Sequence, residues 1–339
     1  MIRSRRGFLA SLAAMPLAAA AYEFPPRLRS DMDSFVERIV LKHDLDGVRL
    51  SEILLEARVE PRVLQAMAAP GTAKPWRQFR PVYLNRHRID GGVKFWNENE
   101  VALNRARDAY GVSPEVIVAI IGVETIYGKV TGTFRVIDAL VTLSFEGTRR
   151  VEYFQSELEE LLLLGRDRIL DPLAVRGSYA GAMGWPQFMP SSLRKHAVDF
   201  DGDGRIDLWG SAVDVIGSVA SYFRNFGWQL GADVVLSARV SPGKAVDELV
   251  ALGIKPVSDR TSLERAGVSS ERPLKDGERA ALLLFEGASG PEYWLGLDNF
   301  YVISRYNRSQ NYALAVWQLA QAILAARRQG GSSSSTRSA

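Results

Sequence analysis

One stretch constrains the fold more than any other: Ser113-Pro114 followed by an apolar run, Val116 to Val123, that ends in Glu124-Thr125-Ile126-Tyr127-Gly128. Serine ahead of proline reads as an N-cap and a first helical residue, so a helix starts here and runs to about Gly128. The run is apolar on every side, which demands burial at the centre of a core, and it covers barely two turns, too short to cross a bilayer. Glu124 is its outlier. Helical spacing sets Ile117, Ile120 and Ile121 on or beside the face that carries this carboxyl. A carboxyl desolvated among aliphatics has a raised pKa, as a general acid needs near neutral pH. An exposed or ion-paired glutamate at a helix end is the competing reading.

Composition narrows the chemistry around that acid. The chain has 339 residues, 47% hydrophobic and 24% charged, enough for two or three packed regions and unlike a disordered tail. It has no cysteine, which removes thiol nucleophiles, thiolate metal sites and a lipid-modified N-terminal cysteine. Its three histidines, His43, His87 and His196, stand at no ligand spacing.

The first 21 residues read as an address. Arg3, Arg5 and Arg6 precede an alanine-rich apolar stretch, and Ala19 and Ala21 suit a signal peptidase. Ser4-Arg5-Arg6-Gly7-Phe8-Leu9 fits a twin-arginine export signal, with an ordinary secretory signal as the alternative. Of the 42 basic residues three leave with this segment, so 39 face 39 acidic residues and the mature chain, from Tyr22, is neutral. Charge therefore gives no reason to expect a nucleic-acid partner.

Residues 31–110 show helical apolar periodicity, except for a stretch over 70–95 that proline and glycine make loop-rich. Further helices are expected over 134–144, 149–164 and 211–226. From 232 to 303 the texture turns to short β-leaning runs: Val234–Leu236, Ala281–Phe285, Glu292–Leu297 and Tyr301–Ser304, a small antiparallel sheet. A last helix over 309–328 should stop at Gly330, with residues 329–339 a flexible tail.

Three more segments carry chemical character. Gly177-Ser178-Tyr-Ala-Gly181-Ala-Met-Gly184-Trp185-Pro-Gln187 through Ser192 mixes close-approach glycines with polar donors and aromatic faces, which suits a carbohydrate; a tight turn between helices would use the same glycines. Arg149 and Arg150 fall in the first turn of an expected helix, against its macrodipole, so an anionic ligand group is suspected beside the alternative of solvated arginines. Asp199-Phe-Asp201-Gly-Asp203-Gly-Arg205-Ile-Asp207 follows an EF-hand loop through position nine but puts Gly210 at position twelve, where a bidentate carboxylate is wanted. Asp199, Asp201, Asp203 and the Arg205 carbonyl are the candidate Ca²⁺ ligands, and a solvated acidic turn is the alternative.

Four motifs in one order, GVETIYG around Glu124, DALVTLSF before Arg149-Arg150, GSYAGAMGWPQFMPSS and VDFDGDGRIDLW, resemble the lytic murein transglycosylase B family, glycoside hydrolase family 103. The resemblance spans most of the chain from about Phe95, with Tyr306-Asn307 near its end. It implies an α+β, predominantly α fold: a lysozyme-like helical core over 111–231 carrying the EF-hand-like loop 199–210, a flanking helical domain over 22–110 joined by helix 309–328, and a small antiparallel β domain over 232–304. It implies cleavage of the β-1,4 bond between N-acetylmuramic acid and N-acetylglucosamine with formation of a 1,6-anhydro sugar, Glu124 acting first as acid and then as base. One carboxyl does both jobs, so Asp138, Glu146 and Glu152 are not nominated as partners.

By the same resemblance Ser178 and Gln187 contact the sugar, Arg149 and Arg150 face its carboxylates, and Tyr153, Tyr222, Tyr306, Asn307 and Tyr312 line the cleft. Trp185 stands where some relatives have tyrosine and keeps a stacking face. No cofactor is required, and Gly210 weakens any Ca²⁺ site. The implied partner is the peptidoglycan glycan strand, with cell-wall synthesis proteins as further candidates. Several relatives are lipoproteins; this chain, lacking the cysteine, is expected as a periplasmic monomer without a membrane anchor. A hydrolytic muramidase on the same fold and a non-catalytic peptidoglycan-binding protein are the alternatives.

Overall fold

The computed structural model describes residues 24–68, 74–241 and 243–335; the export signal expected over 1–21 lies outside them. Helices α1 (Pro26–His43), α2 (Gly47–Leu55) and α3 (Pro61–Ala68) open the described chain. Asp46 starts α2 by accepting the Val48 and Arg49 N–H groups, two of the donors a helix start leaves unpaired.

The stretch expected to be loop-rich is helical from Trp76 onward: α4 (Trp76–Tyr83), α5 (Arg86–Glu98) and, after a break at Asn99, α6 (Glu100–Tyr110). Tertiary contacts override the local breakers. Pro81 falls late in α4, whose buried Trp76 and Phe79 pack toward the β region. Gly91 and Gly92 mark close approach rather than a turn: a Cβ on Gly92 would lie 2.5 Å from Ile323 and 2.6 Å from the Tyr127 hydroxyl.

Helix α7 (Pro114–Thr125) is the apolar helix expected from the sequence, and it is buried on nearly every side. Ser113 holds the N-cap position without a side-chain cap bond, so the fixed φ of Pro114 is what the sequence contributes there. Strand β1 (Phe134–Arg135) pairs antiparallel with β2 (Arg176–Gly177), and between them run α8 (Val136–Phe145) and α9 (Val151–Arg166). Helices α10 (Pro190–His196) and α11 (Ala212–Asn225) flank the acidic loop. Buried Glu157 of α9 accepts the Ser191 N–H and hydroxyl at 2.9 and 2.7 Å, tying α10 to α9.

The β region contains β3 (Val235–Val240), α12 (Lys244–Ala251), α13 (Arg260–Arg265), β4 (Val268–Ser270), β5 (Ala281–Gly287) and β6 (Gly290–Gly296). The sheet order is β4-β3-β6-β5, antiparallel throughout, with Ser237 opposite Trp294 and Leu283 opposite the same Trp294. Its fourth strand is β4. The run Tyr301–Ser304, expected as a strand, lies in α14 (Asp298–Tyr306). A short apolar run has no decisive period, and burial of Phe300, Val302 and Ile303 in the main core decides for helix.

Helix α15 (Gln310–Ser335) continues through Gly330, which was expected to stop it; glycine in a helix costs only about 1 kcal/mol and forces no break. It packs on α4, α5, α7 and α14. One continuous apolar core extends from Phe24 to Ile323, so the first helices share a core with the central region. The β region has a smaller second cluster around Leu236, Leu263, Leu282 and Leu295.

Candidate active site

Glu124 stands in the last turn of α7, partly reached by solvent and otherwise walled by protein. Burial pushes its carboxyl up to about 7, against a smaller opposing effect of the Tyr312 hydroxyl, which donates to Oε1 at 2.5 Å. The other carboxyl oxygen has no hydrogen-bond partner among the described residues.

Four tyrosines from four elements feel this carboxyl's charge: Tyr83 at the end of α4, Tyr222 of α11, Tyr306 of α14 and Tyr312 of α15. Burial first, and Glu124 as a contributor, raises each phenol above its ordinary value. The Tyr222 and Tyr306 rings lie 4.7 Å apart, and the Tyr306 hydroxyl donates to the Pro186 carbonyl at 2.6 Å. No second carboxyl contributes to the shift of Glu124. The result is a carboxyl that binds its proton near neutrality, ringed by groups that stay uncharged there.

The glycine-rich segment folds against this wall. Ser178 Oγ accepts the Ala180 and Ala182 N–H groups at 3.3 and 3.0 Å, and Gln187 Nε2 donates to the Thr131 and Gly184 carbonyls. Both side chains are thus committed to the loop's own shape while remaining partly exposed. Gln187 is itself left-handed at φ 50°. Gly128 must be glycine: at φ 82°, a Cβ there would sit 2.3 Å from the Trp185 indole.

Arg149 and Arg150 precede α9 rather than occupying its first turn. Arg150 is the N-cap in a left-handed conformation, its guanidinium 3.9 Å from the Tyr153 ring centroid. Burial and the neighbouring Glu157 push Tyr153 up to about 12. Arg149 is exposed and lines a groove with Leu64, Met67, Leu143 and Glu146. Asn307 ends α14 in extended conformation.

In the acidic loop, Asp199, Asp201 and Asp214 bring ligand atoms within 4.8 Å of one another. Asp203, expected among the ligands, lies outside that group and accepts the Arg205 N–H at 2.8 Å. Asp214, beyond the loop and not among the expected ligands, is inside it, carried there by the first turn of α11, which begins at Ala212. Buried Asp214 accepts the Phe200, Asp201 and Asp207 N–H groups, and Ser211 bonds Asp201 while capping α11. Leu208 links the loop to the glycine segment, its carbonyl accepting the Trp185 N–H at 2.9 Å.

Tyr83 is the member of the tyrosine ring that sequence reasoning missed. Its signal was the spacing Trp76, Phe79, Tyr83, one face of a short helix after Pro75, hidden inside a stretch dominated by breakers.

Comparison with known proteins shows what the chain is similar to. Residues 27–321 match the family model described as Transglycosylase SLT domain. The chain is 47% identical over 306 residues to membrane-bound lytic murein transglycosylase B of Escherichia coli strain K12, covering 87% of this chain and 83% of that one. Among solved structures, soluble lytic transglycosylase SltB1 from Pseudomonas aeruginosa superposes with a TM-score of 0.80 at 44% identity, covering 88% of this chain and 99% of that one. Escherichia coli Slt35, solved in complex with calcium, gives a TM-score of 0.77 at 45% identity over 89% and 94%. With a matching family model over most of its length and these relatives, the chain belongs to the SLT-domain family of lytic murein transglycosylases.

Proposed function

We propose that Glu124 alone carries the acid–base cycle by which this lytic transglycosylase cleaves peptidoglycan. The observation that supports this is a single carboxyl held near pKa 7 inside a ring of neutral phenols. Protonated Glu124 gives its proton to the glycosidic oxygen as the bond to muramic acid C1 breaks. The carboxylate left behind, steadied by the Tyr312 hydroxyl, takes the proton of the C6 hydroxyl while that oxygen closes on C1. The 1,6-anhydro ring forms, the acid is regenerated, and no water is consumed.

Around that centre Tyr222, Tyr306, Asn307 and Tyr312 line the sugar site, with Ser178 and Gln187 shaping the loop that meets the acetamido and hydroxyl groups. Arg149, Arg150 and Tyr153 take the carboxylate-bearing side of the substrate; Arg150 already stacks on an aromatic face, leaving Arg149 free to meet an anion. Asp199, Asp201 and Asp214 are all oxygen donors, a set that suits a hard cation such as Ca²⁺. Held there, the ion would brace the loop that supports Trp185 and would take no part in bond cleavage.

No described helix is long and apolar enough to cross a membrane. Export to the periplasm on the signal over 1–21 completes the reading. The deciding experiment digests purified sacculi with the protein from Tyr22 and with Glu124→Gln, followed by mass spectrometry. Anhydro-muropeptides from the first and none from the second are expected; products heavier by one water would make it a muramidase.

A further inference from the structure

Helix α7 ends in a strained way. Ile126, Tyr127 and Gly128 are all left-handed, at φ 53°, 58° and 82°, and a β-branched residue such as Ile126 rarely adopts that conformation unless its surroundings enforce it. The Ile126 N–H reaches back to the Ile121 carbonyl and leaves Gly122 without its helical donor. Arg88 supplies one instead, its Nε donating to the Gly122 carbonyl at 3.2 Å. The Tyr127 ring is sheathed by glycine, since a Cβ on Gly91 or Gly122 would fall 2.8 or 2.7 Å from it, and its hydroxyl donates to the Arg88 carbonyl at 2.6 Å. Side chain and main chain of Arg88 thus hold the chain on either side of Glu124, at Gly122 before it and at Tyr127 in the turn after it.

The same guanidinium reaches the other wall of the site. Arg88 Nη1 donates to the Val82 carbonyl at 2.7 Å, and its carbon lies 5.2 Å from the Tyr83 ring centroid. No carboxylate pairs with this half-buried cation among the described residues. Its hydrogen bonds go to the Gly122 carbonyl of α7 and the Val82 carbonyl of α4.

We propose that Arg88 is a positioning residue for the cleavage reaction: it clamps the left-handed turn after Glu124 to the end of α4, fixing the spacing between carboxyl and Tyr83. The proposal rests on the reading of Glu124 as the acid–base group. Were the clamp released, the turn could relax toward helix and move the last turn of α7, and displacements of about 1 Å at a reacting group cost on the order of a hundredfold in rate.

The test measures kcat and KM on soluble, uncrosslinked glycan strands across pH for wild type, Arg88→Met, Arg88→Lys and Tyr127→Phe, with thermal unfolding alongside. The groups facing Glu124 are Tyr83, Tyr222, Tyr306 and Tyr312, all neutral through that range, so the alkaline limb reports the carboxyl. In Arg88→Met, kcat should fall about thirtyfold with KM within about twofold, and the alkaline limb should move to lower pH as water reaches the acid. Arg88→Lys, able to serve one carbonyl, should recover part of the rate. A folded Arg88→Met with wild-type kcat and limb would overturn the proposal, as would a loss that only tracks the unfolded fraction. If Arg88→Met does not fold, Tyr127→Phe decides by the same two readouts, lowered kcat with a shifted limb supporting the clamp and unchanged values refuting it. Failure of the underlying reading shows separately, as retained cleavage by Glu124→Gln.

Discussion

Replacing Glu124 with glutamine should stabilise the fold while abolishing cleavage, and the gain should depend on pH in a stated way. The folded carboxyl is raised to about 7 from an ordinary 4.5, so the fold favours its protonated form. Below the lower value both folded and unfolded chains hold the proton, and glutamate costs nothing. Between the two the unfolded chain ionises while the folded one resists, so stability falls as pH rises; above the higher value the penalty is complete. Its size is about 3 kcal/mol before allowing for the solvent that reaches the carboxyl, and about 1–3 kcal/mol after. Glutamine is neutral throughout, has nearly the same shape, and its amide oxygen can accept the Tyr312 hydroxyl. Urea unfolding of both proteins should therefore show no difference near pH 4 and a more stable variant, by about 1–3 kcal/mol, near pH 8. A difference that does not change with pH, or a less stable variant at the alkaline end, would refute the burial argument for Glu124.

Other perturbations test neighbouring parts of the site. Tyr312→Phe removes the donor that favours the charged carboxyl, so the alkaline limb of kcat should move to higher pH and kcat should drop about tenfold, read from a pH–rate profile. Gly128→Ala forces a Cβ into the Trp185 indole at a left-handed position and should cost about 2–4 kcal/mol in urea unfolding. Asp214→Asn weakens bonds to three backbone N–H groups at a buried position, costing about 1–3 kcal/mol. It should also abolish any rise in melting temperature on adding Ca²⁺ to metal-free wild type; a Ca²⁺ shift that survives would take Asp214 out of the ligand set.

The sequence by itself determined the pieces whose physics is local. An apolar run opened by Ser113-Pro114 reads as a buried helix, while the carboxyl at its end is open to two readings, desolvated or exposed, until the walls around it are assembled. The glycines at 181 and 184 and the aspartates spaced by two from 199 likewise announce close approach and an acidic turn. Tertiary structure decided what those pieces meet. Tyr83, Tyr222 and the neighbouring pair Tyr306 and Tyr312 come from three distant stretches of the chain, and periodicity gives each helix a face without saying which face it will touch. Gly91 and Gly92 sit within a helix because Tyr127, from the turn after α7, and Ile323 of α15 come up where side chains are missing, and neither neighbour is legible from the local sequence. Tyr301–Ser304 became helix because the core accepted Phe300, Val302 and Ile303 on one side. Asp214 joined Asp199 and Asp201 because the start of α11 turned it back toward them. Local rules fix the conformation each residue can take, whereas the pKa of Glu124 depends on how much water the assembled walls exclude, and only the packed chain sets that.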